Sequence, residues 1–280
     1  MRPLPKPTFS AEEVFRISIS KVRDEDLKTR LEGCIPEIIT DSVDFDNKAT
    51  TAQLHQITKK THVNGNVTKD EMIKVYTGRM VNKKGPGRRY YEELRYPKGH
   101  DKCPLCGQLP IKSLDHYLAK TDYPTLAVSP NNLVPACKDC NEIKSTAAPT
   151  KSEEETLHPY FDNIDGDQWL YAKVLQTSPV SFSFYINPPT GASPILAERV
   201  KYHFKLYKLD ALYKTEAATE VSDMAYRMSN LLIISGPQVV QQHLAETANS
   251  CFHSRKNSWK TAMYQALAAD SWYCNIGAGL

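Results

Sequence analysis

Two Cys-x-x-Cys pairs, Cys103/Cys106 and Cys137/Cys140, constrain the fold of this chain more than any other feature. Zinc prefers four soft or borderline ligands in a tetrahedron, and each pair supplies two thiolates from one tight turn. The segment between them, Gly107 to Ala136, is longer than zinc-ribbon spacing usually allows, which leaves room for a small motif between the knuckles. A lone Cys-x-x-Cys can be a redox pair. Two matched pairs point instead to a closed structural zinc site that stabilises a fold too small to bury enough core alone. The chain has seven cysteines, and Cys34, Cys251 and Cys274 are scattered. An odd total with tight spacing argues for metal binding in a reducing compartment rather than a disulfide framework.

Between the knuckles, Ile111 to His116 and Leu133 to Ala136 have the length of strands, and Lys138 to about Ala147 reads as a helix. Two strands and a helix pinned by zinc would bring the Asp115-His116 end close to Asn141 in the first helical turns. Oxygen ligands from Asp115 and Asn141 suit one hard divalent cation, completed by water and a substrate phosphate. Strand alternation puts His116 on the face opposite Asp115, so the neighbours can take different roles. A histidine titrating near neutrality beside a metal-bound phosphodiester is a natural general base for a water nucleophile.

In order, the residues read Cys-x-x-Cys, Leu-Asp-His-Tyr-Leu, Tyr-Pro-x-Leu-Ala, Asn-Leu-Val-Pro and Cys-x-x-Cys-Asn-x-x-Lys. This order resembles the HNH endonuclease family with its ββα-metal fold. The resemblance implies that His116 activates water and that Asp115 and Asn141 bind Mg²⁺ or Mn²⁺. It also implies that Asn132, rather than adjacent Asn131, braces the loop orienting the base, and that Lys144 approaches the phosphate. The products would be a 5′-phosphate and a 3′-hydroxyl. Related sequences often carry proline where this chain has Ala119, a departure that removes no chemical group. With Leu-His-Pro-Tyr-Phe-Asp downstream, the pattern is similar to bacterial HNH proteins encoded beside ATPases in antiphage systems of the Septu type, which implies an ATPase partner.

The flanks carry no chemical motif. Ser10/Glu13 and Thr68/Glu71 have capping-box spacing and predict helix starts. A further helical stretch is expected over 37–60, before the turn signal His62-Val63-Asn64-Gly65. Gly85-Pro86-Gly87 then interrupts a run in which Arg88, Arg89 and other basic residues alternate with tyrosines. Such a run suits phosphate contact and base stacking, although a solvated linker has the same composition. Beyond the centre, Val180 to Ile186 alternates as a strand, and helices are expected over 195–214, 215–234, from Pro237 through Leu244, and from Trp259 to Trp272. His158 stands before a proline, where it is either structural or a phosphate contact. Trp169, Trp259 and Trp272 fit helical packing better than base stacking. His100, directly before the first knuckle, is surplus to a zinc already held by four cysteines.

The expected architecture is α+β and mostly helical. An N-terminal helical lobe with a basic linker spans 1–98, the HNH module 99–165, and a mostly helical lobe 166–280. With 41% hydrophobic and 24% charged residues and a net charge of +3, the whole chain is no polybasic binder, so any grip on a polyanion must be local. There is no secretory signal and no apolar run long enough for a bilayer, which predicts a soluble, cytoplasmic protein. DNA is the expected substrate, with zinc structural and Mg²⁺ or Mn²⁺ catalytic. A homo-oligomer would let one site per chain cut both strands. The rival from another class is a zinc-ribbon module that binds nucleic acid or protein without cutting.

Overall fold

The computed structural model describes residues 1–279, which fold as an α+β chain of helices and three two-stranded antiparallel sheets. The chain divides into two compact units, Met1–Asn163 and Ile164–Leu280. No helix among the described residues is long and apolar enough to cross a membrane.

The first unit begins with α1 (Ala11–Ile19), α2 (Glu25–Gly33) and α3 (Ile35–Thr50). Ser10 caps α1 through its hydroxyl, which accepts from the Glu13 amide at 3.1 Å. The stretch predicted over 37–60 starts earlier and ends at Thr50, because Ala52 takes a positive φ that breaks the helix. A hairpin of β1 (His62–Val63) and β2 (Val67–Thr68) turns at Asn64 and Gly65, both in the left-handed region the Asn-Gly pair favours. Thr68 and Glu71 form a reciprocal capping box at the head of α4 (Lys69–Lys74). The helix widens to a π-helix over Val75–Val81, and α5 (Arg88–Arg95) follows the Gly85-Pro86-Gly87 turn.

The expected strand pair and helix form, the second strand over the expected residues and the first strand and the helix slightly shorter than expected. β3 (Ser113–His116) pairs with β4 (Leu133–Ala136), Asp115 opposite Val134 and His116 opposite Leu133. α6 (Lys138–Lys144) begins directly after Cys137, its N-cap. Leu114, Val128 and Leu133 belong to the same apolar core as Phe15, Ile38, Met72, Met80 and Tyr90. Residues of 1–98 and of the cysteine-framed segment thus close one core together.

In the second unit β5 (Leu170–Leu175) pairs with β6 (Ser181–Ile186), and Leu170, Val174, Phe182 and Phe184 are buried on it. β5 has no counterpart in the sequence expectations, and Trp169 lies at the head of this strand rather than on a helix. α7 (Pro194–Leu206) stops at Tyr207-Lys208, where Lys208 is left-handed. The helices predicted over 195–214 and 215–234 are therefore divided there instead, and α8 (Leu209–Ser235) runs unbroken through 214 and 215. α9 (Pro237–Ser254) extends beyond Leu244, and α10 (Trp259–Ala269) ends where Asp270 caps the short α11 (Ser271–Asn275). α10 packs on β5 and α9, and α8 on β6.

Candidate metal centre and cleft

The four knuckle sulfurs converge. Cys103, Cys106, Cys137 and Cys140 are all buried, with ligand atoms within 4.8 Å of one another, and Cys106 Sγ stands 4.0 Å from Cys137 Sγ. Zn–S bonds of about 2.3 Å set tetrahedron edges of about 3.8 Å, so the cluster fits a metal ion of that kind. The donor chemistry agrees: four thiolates this close repel one another until a divalent cation sits between them. Backbone amides orient the sulfurs, Leu109 N–H donating to Cys106 Sγ at 3.5 Å and Cys140 N–H to Cys137 Sγ at 3.3 Å. The start of the chain straps the first knuckle, with the Arg2 amide on the Pro104 carbonyl and its guanidinium on the Gly107 carbonyl, both at 2.7 Å.

Beside β3 opens a cleft of about 410 Å³ whose lining includes Tyr76, Asp115, His116, Lys120, Asn141 and Ser145. Asp115 and His116, expected on opposite strand faces, both reach it. β3 ends at His116, so alternation stops there and the cleft wraps around the strand end.

The imidazole of His116 is 7% exposed, and its Nε2–H donates to the Ala127 carbonyl at 2.9 Å. A carbonyl only accepts, so the proton belongs on Nε2 and the Nδ1 lone pair is left unprotonated. Burial, helped by the positive charge of Lys120 and Lys144, pushes the pKa of His116 down to about 3, so the ring stays neutral and, contrary to the sequence expectation, does not titrate near neutrality. The ring of Tyr76, from the π-helix, stands edge-on to it with centroids 4.5 Å apart.

Asn132 is fully buried. Its Oδ1 accepts from the Leu118 amide at 2.7 Å, while Nδ2 donates to the carbonyls of Leu118 and Leu126 at 3.0 and 3.1 Å. One side chain thereby ties both ends of the loop that carries Ala127, the partner of His116. Adjacent Asn131 turns away, its Nδ2 bonded to Asp46.

Burial raises Asp115 to about 6 against the pull of Lys144 and Lys120. Asn141 donates from Nδ2 to Ser113 Oγ at 2.9 Å, so Oδ1 is the atom it could offer to a cation. One carboxylate and one amide oxygen beside an open cleft match a cation such as Mg²⁺, which keeps several waters and takes few protein ligands. Ser145, at the end of α6, has φ 51° and ψ −133°, a strained backbone for a residue with a Cβ.

The remaining predicted site residues lie elsewhere. Lys144 is buried and does not line the cleft. Its Nζ donates to the His116 carbonyl at 2.7 Å and lies 3.3 Å from Asp115 Oδ2, so it braces the end of β3. Arg88 bonds to the Val81 carbonyl and Glu92, and Arg89 contacts Tyr90 and Glu13; both stand outside the cleft. His158 is 1% exposed among Phe45, Tyr117, Tyr160 and Phe161, with Nδ1 accepting from the Tyr160 amide, and serves as a core side chain. Tyr76, Lys120, Thr121 and Ser145 line the cleft without having been singled out in the sequence. Lys120, four positions after His116, was the one a sequence signal could have found.

No protein-family profile matches the chain. No solved structure matches it either. The chain is similar to Protein ea31 of Escherichia phage lambda, with 28% identity over 288 residues that cover 96% of this chain and 97% of the relative.

Proposed function

We propose that this protein is a metal-dependent endonuclease of the HNH type that hydrolyses phosphodiester bonds in DNA. The observation that carries the proposal is His116, held neutral with its proton on Nε2 and its Nδ1 lone pair available in a cleft shared with Asp115 and Asn141. His116 Nδ1 takes a proton from the attacking water, whose oxygen forms a bond to phosphorus as the bond to the 3′-oxygen breaks. Asn132 holds the loop carrying Ala127, so the base keeps one tautomer and one orientation. Lys144 holds the Asp115 carboxylate in place. A divalent cation held by Asp115 and Asn141 would stabilise charge on the leaving oxygen.

The four-cysteine cluster supports zinc as a structural ion, because it is closed and leaves no open coordination position. We also propose antiphage defence as the setting and an ATPase as the controlling partner.

The test is plasmid cleavage by the zinc-loaded protein with Mg²⁺, Mn²⁺ or neither. We expect nicking or linearisation with either metal, and a loss of at least about 10²-fold in His116→Ala with zinc content and melting temperature kept. Retained nicking by that variant would remove His116 from the role of base. DNA binding with plasmid intact under every metal and partner condition would leave the zinc-ribbon binding module.

A further inference from the structure

Lys120 is the cation of the cleft, and although Asp115 attracts it, no carboxylate among the described residues forms an ion pair with it. Its side chain is half-buried on the cleft wall beside Asp115 and His116. Among the described residues no carboxylate pairs with it and it makes no hydrogen bond; its one close contact is the face of Tyr76, 5.5 Å from Nζ to the ring centroid. Other partly buried lysines of the same unit are satisfied, Lys48 by Asp44 and Lys60 by both Glu37 and Asp41. Of the two carboxylates that line the cleft, Asp115 is paired with Lys144 and Glu142 with Lys138. Removing a cation from water without a counter-charge is costly, and a chain tolerates it where a ligand supplies that charge. Around Lys120 the cleft offers donors. Tyr76 is 7% exposed and its hydroxyl makes no hydrogen bond among the described residues, and Thr121 stands on the same wall.

We propose that Lys120, with the hydroxyls of Tyr76 and Thr121, forms a phosphate-recognition subsite that takes a non-bridging oxygen of the nucleic-acid backbone. It is Lys120, and not Lys144, that meets the substrate. A phosphodiester presents only acceptor oxygens and one negative charge, which matches one ammonium flanked by hydroxyls. Tyr76 has a double position, its ring edge against His116 and its face towards Lys120, so it sets the distance between the base and the phosphate. The subsite rests on the nuclease reading for its place beside the scissile bond, although its recognition of phosphate can be measured without turnover.

The experiment is fluorescence anisotropy with a short fluorescein-labelled DNA duplex, on zinc-loaded protein carrying His116→Ala so that nothing is cut. Lys120→Met should weaken binding about ten-fold for any sequence and reduce the slope of log affinity against log salt by about one. Lys120→Arg should restore most of the affinity, and Tyr76→Phe, which keeps the ring and removes only the hydroxyl, should lose a few-fold. The melting temperature separates recognition from folding. Lys120→Met should leave it unchanged or raise it, since an unpaired half-buried charge is gone, whereas Lys144→Met should lower it by stripping Asp115 of its partner. Parent affinity and salt slope in Lys120→Met, a fall in its melting temperature, or a parent protein that fails to bind the duplex overturns the subsite. If Lys120→Met loses binding while the wild type never cuts, the subsite stands and the nuclease falls. The reverse pattern, a wild type that cuts and a Lys120→Met that binds normally, removes the subsite alone.

Discussion

Asp115 and Lys144 form an ion pair with both side chains about 5% exposed, one residue along the chain from a neutral histidine. Protons link the three. The folded pKa of Asp115, about 6, lies above the roughly 3.9 of an unfolded aspartate. Its contribution to stability is complete below about pH 4 and is lost as pH rises through 6. His116 runs the other way, with a folded value of about 3 against roughly 6.5 unfolded. Its contribution is complete above about pH 6.5 and is lost as pH falls through 3. Between about pH 4 and 6 the two slopes oppose each other, so this site adds little pH dependence there. Asp115→Asn removes one slope and exposes the other. In magnesium-free buffer the melting temperature of Asp115→Asn should fall more steeply than that of the wild type as pH drops from 6.5 to 4. Taking the difference between the proteins cancels the titration of the cysteines, and parallel curves would refute the opposed pair. At this scale the sequence was legible where chemistry dictates spacing: thiolates that can share an ion must come in close pairs, and the four cysteines do converge. Lys120 and Lys144 were not separable, because their roles depend on whether a side chain passes behind the strand or into the cleft, and that is decided by the loop after His116 and by the short α6.

At the scale of elements, the cleft wall depends on how the π-helix Val75–Val81 is held. Gly85 and Gly87 return to it, and the Gly87 amide donates to the Arg79 carbonyl at 3.0 Å. A Cβ on Gly85 would stand 2.1 Å from that same carbonyl oxygen, with backbone on both sides of the contact. Gly85→Ala should therefore destabilise the unit by about 1–3 kcal/mol, the range for overpacking. It should also disturb Tyr76 on the same π-helix, lowering DNA affinity. An unchanged melting temperature would show that the turn yields without strain. The Gly-Pro-Gly signal was readable as a break, yet nothing in the sequence distinguished a packed turn from a linker. The basic residues after it looked like a nucleic-acid patch, but in α5 Arg88 and Arg89 are engaged with Glu92 and Glu13. The π-helix itself has no periodicity to read, since one widened turn differs little from α-helix in its apolar spacing. β5 escaped for a related reason, its residues Leu170–Leu175 lacking the alternation that marked β6.

Over the whole molecule, the segment framed by the four cysteines is no separate body. Leu114, Val128 and Leu133 share a core with α1–α5, which is why helices without chemistry of their own support the cleft. Hydrophobic spacing shows that a face is buried but not what buries it, so this merging was not legible. The division suggests how metal removal should act. All three tryptophans, Trp169, Trp259 and Trp272, lie in Ile164–Leu280, so their emission reports only that unit. A high-affinity zinc chelator should loosen the hairpin and the knuckles, whose geometry the four cysteines close, and abolish cleavage and duplex binding together. The α1–α5 core, with Phe15, Ile38, Phe45 and Met72 fully buried and no sulfur ligand among them, should keep its helices. The expected record is lost activity, new protease cutting between about residues 99 and 144, steady tryptophan emission and largely retained far-ultraviolet ellipticity. Simultaneous loss of tryptophan signal and helicity would mean that the metal holds the entire chain, because only a structure without two independent cores would then unfold as one.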